Sequence, residues 1–248
     1  MKKEFIDQLE LLGIKCGDVV LVHSSMKALN TRRTPLEFIN DIITVLGKEG
    51  TLLIPALTYK NVNAKQPYFS VYSTEPCVGL IPRTFFHMNN VVRSLHPTHS
   101  VCAYGKYAND ITSEHLMDRT PVGLHSPMMK LLDHKGKILF IGSILESCTF
   151  MHGIEEIVGT TYTLEKEYTH YIIENKNGEM IERNMYAHDF HGWKTEYQRI
   201  RNILHYPDIN IGKVGQADCF LVDATILAEK AIKEIKKNPY YFVTDIRK

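Results

Sequence analysis

Lys137–Ile138–Leu139–Phe140–Ile141–Gly142 is a strand-like apolar run. After a polar turn, Ser143–Ile144–Leu145–Glu146–Ser147–Cys148, comes Thr149–Phe150–Met151–His152–Gly153–Ile154–Glu155–Glu156–Ile157–Val158. If these last ten residues open a helix, Thr149, His152, Glu155 and Glu156 fall three or four positions apart and share one face. A hydroxyl, an imidazole and carboxylates then converge beyond the end of a strand, where open α/β sheets place their sites. A histidine held by a carboxylate is the usual general base near neutral pH. From this pattern alone, His152 reads equally well as a residue that caps or packs the helix.

The same strand-and-helix texture runs outward from this point. Glu4 to Leu12 has helical apolar spacing closed by Gly13, and Asp18 to Val22 is a Val-rich buried strand ending at His23–Ser24–Ser25. Pro35 to Leu46 is helical, with Pro35 suited to a first turn, and Thr51 to Leu57 is a second buried strand. The order helix–strand–helix–strand predicts a parallel α/β core. Tyr59 to Pro76 holds four aromatic residues and no period, which reads as a long functional loop or flap. Short helices are expected at Cys77 to Met88, Ala108 to Leu116 and Met128 to Leu132, with extended pieces between Val91 and Tyr104.

The texture changes after residue 160. Tyr168 to Glu174 and Glu179 to Arg183 read as a hairpin around Asn175–Lys176–Asn177–Gly178. Thr195 to Leu204 is expected to be helical, Gly215 to Asp223 extended, and Ala224 to Lys236 an amphipathic helix. Neither an internal repeat nor a low-complexity linker occurs. Residues 1–248 therefore read as one domain with an elaborated C-terminal third from about 160.

The 29 basic and 28 acidic residues nearly cancel, so no global field draws the chain to nucleic acid or an anionic membrane. Five cysteines stand far apart with no C-x-x-C pair, the pattern of free thiols in a reducing, cytoplasmic compartment. The first residues lead into an amphipathic stretch rather than a signal peptide, and no apolar run approaches the roughly 20 residues of a membrane span. Gly-x-Gly-x-x-Gly and Walker patterns are absent. Gly142–Ser143–Ile144–Leu145 lacks the second glycine of a hydrolase nucleophile elbow. His96–Pro97–Thr98–His99 has poor spacing for a metal, because Pro97 breaks the helix that would align the rings and no cysteine or acid stands beside them.

Taken together, the motifs resemble the aminoglycoside 3-N-acetyltransferases, the antibiotic N-acetyltransferase family. The likeness is collinear over nearly the whole chain. It runs through Val20–Leu21–Val22–His23–Ser24–Ser25–Met26, Gly50–Thr51–Leu52–Leu53–Ile54–Pro55, and Arg93–Ser94–Leu95–His96–Pro97 with Ser100–Val101 and Gly105. It continues through Ser126–Pro127, Gly136 to Gly142, the T-x-x-H-x-x-E element at Thr149, His152 and Glu155, and Val214–Gly215–Gln216–Ala217 with Leu221. Two departures accompany it: the chain is somewhat short, and Cys148 stands where the family often has a polar residue such as Asn.

The resemblance implies a three-layer α/β/α sandwich with a mixed central sheet, distinct from the GNAT fold. It implies acetyl-coenzyme A as cosubstrate and no metal, with His152 as general base, Glu155 as its partner and Thr149 beside them. Coenzyme A is expected along His23, Ser24, Ser25, Met26 and Lys27 and along Ser100, Val101, Cys102 and Ala103. The acceptor amine, of an aminoglycoside, is expected against Glu156, Asp189, Tyr59 and His96. Transfer by direct attack is expected, with an acyl-Cys148 route as its rival. An acyltransferase acting on another amino sugar or natural-product amine, or a non-catalytic coenzyme A-binding relative, stays open. So does a homodimer.

Overall fold

The computed structural model describes residues 2–29, 33–142 and 145–247. In chain order the elements are α1 (Lys2–Leu12), β1 (Val19–Ser24), α2 (Met26–Leu29), α3 (Pro35–Leu46), β2 (Thr51–Pro55), β3 (Tyr68–Ser70) and α4 (Leu80–Phe86). Next come β4 (Val92–Arg93), β5 (Val101–Gly105), α5 (Ala108–Thr112), β6 (Lys137–Ile141), α6 (Phe150–Val158), β7 (Leu164–Glu174) and β8 (Met180–His188). The chain ends through β9 (Trp193–Thr195), α7 (Ile200–Ile203), β10 (Ile209–Val214), β11 (Ala217–Asp223), α8 (Ala224–Lys237) and β12 (Val243–Asp245).

A seven-stranded sheet of order β10-β11-β6-β1-β2-β5-β4 forms the middle layer. Only β6, β1 and β2 run parallel to one another; β5, β4, β11 and β10 pair antiparallel on the two flanks. The parallel core read from the sequence is thus confined to three strands, inside a mixed sheet. These strands are continuous apolar runs because both faces are covered. In β1, Val19 and Leu21 join the core with α5, α6 and α8, while Val20 and Val22 join that with α1, α3 and α4. In β6, Ile138 and Phe140 face the first group, and Leu139 and Ile141 the second.

Local signals explain the helices that carry the site. Thr34 and Glu37 form a reciprocal capping box with Pro35 in the first turn of α3. The chain leaves β6 at Gly142, whose φ is +59°; a Cβ there would come within 2.4 Å of the Ala28 side chain. α6 stops at Gly159, a left-handed cap whose N–H returns to Glu155 O. Ser143 and Ile144, part of the turn and elbow stretches named above, lie outside the described residues.

Several expectations are corrected. The aperiodic stretch from Tyr59 to Pro76 contains β3, which joins β7 in parallel to make a second, three-stranded sheet over Val62, Phe69, Val71, Tyr171, Ile173 and Met185. The hairpin strands are longer than their apolar content indicated, because most of their outer face is solvated. β10 was not anticipated: Ile209 and Val214 are its only buried positions, so it lacks a readable period. The helix expected over Ala108 to Leu116 ends at Thr112, that at Met128 is a 3-10 turn, that at Thr195 is a 3-10 turn followed by the four residues of α7, and that at Cys77 shrinks to Leu80–Phe86. Among the described residues no helix is long and apolar enough to cross a membrane.

Phe140 is fully buried at the sheet centre, and the His23 ring stacks on it at 5.2 Å and 14°. Phe140→Ala is expected to cost about 3–5 kcal/mol in urea denaturation. A loss below about 1 kcal/mol would mean that this part of the core is not close-packed.

Candidate active site

A cleft of about 950 Å³ opens at the carboxyl ends of β1, β2 and β6, the position favoured by open α/β sheets. Its walls include His23, Ser24, Tyr59, Thr98, His99, Thr149, His152, Glu165, His188 and Phe190. α6 brings His152 to the wall and places Glu155 one turn behind it, with no exposed surface. The direct His152–Glu155 contact is long, 3.5 Å from Nδ1 to Oε2. A closer link runs through Tyr197. Its hydroxyl donates to Glu155 Oε2 at 2.8 Å and lies 2.8 Å from His152 Nδ1. That hydroxyl has one proton, so Nδ1–H must be the donor to the phenol oxygen, and Nε2 is left as the basic nitrogen. Tyr162 donates to the other carboxylate oxygen, Glu155 Oε1, at 3.1 Å. Burial and the Glu155 charge hold both phenols well above their ordinary pKa, so they remain donors.

A second histidine–carboxylate pair lies alongside. His188, from the end of β8, bonds through Nε2 to Glu156 Oε1 at 2.7 Å, and the same oxygen accepts the Val122 N–H at 2.9 Å. The His188 ring centroid is 4.7 Å from His152 and 4.6 Å from His99. His99 meets His96, which stacks on His115 at 4.8 Å. Burial is the main reason these imidazoles stay neutral. It pulls His23 and His115 down to about 3 and puts His96, His99 and His188 well below the ordinary range. Neighbouring imidazole charge adds to this for His23, His96, His99 and His188. Among the described residues, no three His, Cys, Asp or Glu side chains gather as ligands for one metal ion.

The site residues read from the sequence divide clearly. His23, Ser24, Tyr59, Thr149 and His152 line the cleft, and Glu155 backs His152. Ser25 starts α2, Met26 packs against the core and Lys27 is exposed; none of the three lines the cleft. The Ser100 hydroxyl is spent on Ala56 O and on the half-buried Arg93, and Val101, Cys102 and Ala103 are buried in the sheet. Thr98 and His99, just before them, reach the cleft instead. His96 is fully buried, and its Nδ1 accepts the His99 N–H at 3.0 Å, which fixes the turn. Glu156 faces His188 rather than the cleft. Asp189 is exposed outside it and caps the His191 N–H. The acids on the cleft wall are Glu146 and Glu165. Both oxygens of Glu146 hold backbone N–H groups, of Tyr197 and Gln198. Glu165 has no hydrogen bond or ion pair among the described residues.

Tyr197, Tyr162, His188 and Phe190 were missed by sequence reasoning. Tyr197 reaches Glu155 across 42 residues, and no local period announces such a contact. His188 and Phe190 flank the Asp189 that the charge pattern had singled out, so the segment was visible but the wrong residue stood out.

A sequence profile described as Aminoglycoside 3-N-acetyltransferase matches residues 21–236. The chain belongs to this family. It is 26% identical over 254 residues to aminoglycoside N(3)-acetyltransferase IX of Micromonospora chalcea, an alignment covering 91% of this chain and 89% of that protein. A histidine-to-alanine mutant of aminoglycoside acetyltransferase AAC(3)-IVa, in complex with a gentamicin, superposes with a TM-score of 0.83 at 25% identity, covering 97% and 90% of the two chains. AAC-IIIb in a binary complex with CoASH also gives 0.83, at 21% identity with 96% of each chain covered, a likeness of fold. The α/β/α sandwich with its mixed sheet is that of the aminoglycoside 3-N-acetyltransferases and differs from the GNAT fold.

The buried imidazoles make a prediction about acid stability. Unfolded histidine binds a proton near 6.5, whereas His23, His96, His99, His115 and His188 resist it in the folded protein. The unfolded chain therefore binds more protons below about 6.5, and stability falls as pH drops from there, by about 1.4 kcal/mol per pH unit for each group. Glu156, raised to about 7, acts in the opposite sense over its own window, but it is one group against five. Urea titrations across this range should show net uptake of at least about two protons on unfolding. A flat profile would contradict the burial of these rings.

Proposed function

We propose that the protein transfers the acetyl group of acetyl-coenzyme A to an amine of an aminoglycoside, the 3-amino group of its 2-deoxystreptamine ring, with His152 as general base. The observation that carries this reading is the hydroxyl of Tyr197 standing between His152 Nδ1 and Glu155 Oε2 at the cleft wall. The acceptor amine gives its proton to His152 Nε2 as it attacks. His152 Nδ1–H then bonds more strongly to the Tyr197 oxygen, and Tyr197 and Tyr162 keep the Glu155 carboxylate aimed at the new positive charge. His152 afterwards delivers the proton to the departing sulfur.

The cosubstrate fits the β1 wall. His23 Nε2 and Ser24 Oγ are buried, and neither has a hydrogen-bond partner among the described residues. They can bond to the polar atoms of a pantetheine arm or to the thioester oxygen, with Thr149 nearby as a further donor. Cys148 suits acyl transfer poorly: it has no exposed surface and does not line the cleft, and burial pushes its thiol up to about 12. Direct transfer is therefore favoured over an acyl-enzyme.

One observation favours a second reading for the acceptor. Glu146 is already committed to two backbone N–H groups, which leaves Glu165 as the cleft acid open to a cation. An amine with fewer positive charges than an aminoglycoside, such as a simpler amino sugar, would need no more.

Thiol release from acetyl-coenzyme A with a panel of aminoglycosides and mono-amino sugars separates the two readings. His152→Ala should lower kcat by roughly 10²–10⁴ and Tyr197→Phe by about ten-fold or more, with coenzyme A still bound. Near-normal kcat in His152→Ala would remove it as the base.

Glu165→Gln should raise the acceptor KM several-fold, weaken its salt dependence, and leave the acetyl-coenzyme A KM unchanged. An effect confined to acetyl-coenzyme A would move Glu165 out of the acceptor subsite.

A further inference from the structure

The reaction proposed above has two protons to manage. An amine arrives as an ammonium ion and must lose one proton before it can attack. After attack the nitrogen loses a second, which goes to the departing sulfur. His152 Nε2 accounts for the second transfer. Nothing in the His152–Tyr197–Glu155 arrangement accepts the first.

His188 supplies a matching basic nitrogen. Glu156 Oε1 accepts the Val122 N–H, so this oxygen is an acceptor and His188 Nε2 donates to it. That fixes the tautomer, with the lone pair on Nδ1. No hydrogen bond within the described residues uses His188 Nδ1, and the ring lines the cleft. The two imidazoles stand 4.7 Å apart, centroid to centroid, with Phe190 packed against both. His152 and His188 therefore present Nε2 and Nδ1, respectively, as free acceptors, each ring anchored through its other nitrogen.

We propose that His188 and Glu156 form a second base, which takes the first proton from the incoming ammonium group before His152 acts. The idea rests on the acetyl-transfer reading above. The ammonium N–H bond breaks and His188 Nδ1–H forms; at the same time His188 Nε2–H breaks and Glu156 Oε1–H forms. An ammonium and a carboxylate become a neutral amine and a neutral acid, and the imidazole ends neutral in its other tautomer. Annihilating two charges suits a pair this deeply buried, with 8% of the His188 side chain and 4% of that of Glu156 exposed. After product leaves, the stored proton passes to solvent.

The surroundings fit that role. His152 faces the pair from α6, and His99 and His96 from the segment before β5. Asp118, itself bound to His125, lies on the Val122 side. Burial, and the charge His152 carries when protonated, discourage a lasting positive charge on His188, and burial raises Glu156 to about 7, where it can hold a proton and still release it.

Two measurements test the proposal. In the free enzyme labelled with ¹⁵N-histidine, at a pH above the Glu156 titration, His188 should be the Nε2–H tautomer; an Nδ1–H tautomer would overturn it. The second measurement is kcat/KM against pH for two acceptors whose amines differ in pKa. The wild type should show an acidic limb common to both. In His188→Gln and Glu156→Gln the limb should move to each acceptor's own amine pKa. The loss should be about ten-fold or more near neutral pH and close at higher pH. A loss equal at all pH values marks a structural role, and no loss in either variant marks none; both overturn the proposal. Glu156→Gln keeps an oxygen for the Val122 N–H, so it serves if His188→Gln does not fold. If the wild type acetylates no amine, the transfer reading itself fails, and the tautomer measurement still decides whether His188 is poised as a base.

Discussion

Glu155 is a carboxylate with no exposed surface, and much of the site follows from its need for donors. A buried acid without partners would cost several kcal/mol, enough to remove much of the stability of an ordinary domain. The chain meets the need with two phenols from distant segments, Tyr162 before β7 and Tyr197 after β9. Those bonds leave Tyr197 able to accept one more proton donor, and His152 is that donor. A single desolvated acid thus sets the tautomer of His152, and the 3.5 Å direct contact is secondary.

The histidines show the same logic with opposite charge. In the chain of buried rings from His152 through His188, His99 and His96 to His115, a proton can be taken up and passed on only where a carboxylate stands close. Two positions meet that condition, His152 with Glu155 and His188 with Glu156. Consecutive glutamates on α6 thus serve separate imidazoles, one from their own helix and one from β8. The remaining rings are spacers and turn anchors. His96, for instance, holds the backbone of Thr98 and His99 so that these two side chains reach the cleft.

The three parallel strands, α3, α6 and α8 were legible because each carries an uninterrupted apolar period or a clear cap. His152 and Glu155 were legible because their spacing is local to one helix. What could not be read depended on tertiary placement. Ser100 looked like a ligand donor beside a strand, but Arg93, sandwiched between Phe69 and Phe86, claims its hydroxyl. Asp189 looked like a substrate acid because it is charged and flanked by histidines. On a strand exit, however, one residue's shift decides which side chain enters the cleft, and here His188 and Phe190 enter while Asp189 turns outward.

The C-terminal segment explains why the elaborated third of the chain belongs to the site. β12 pairs with β9 through Val243↔Thr195, two residues before Tyr197. Arg199 donates to Tyr241 O, and Phe242 packs against the Tyr197 ring. Glu146, on the turn that leads into α6, accepts the Tyr197 N–H. Tyr197 is therefore fixed by its backbone, its ring and its hydroxyl, each through a different part of the chain. A phenol that must accept from His152 and donate to Glu155 at once has little angular freedom to lose. The 3-10 turn at Tyr197–Arg199, inconspicuous in sequence, is where the last residues of the fold determine how the helix-borne histidine is held.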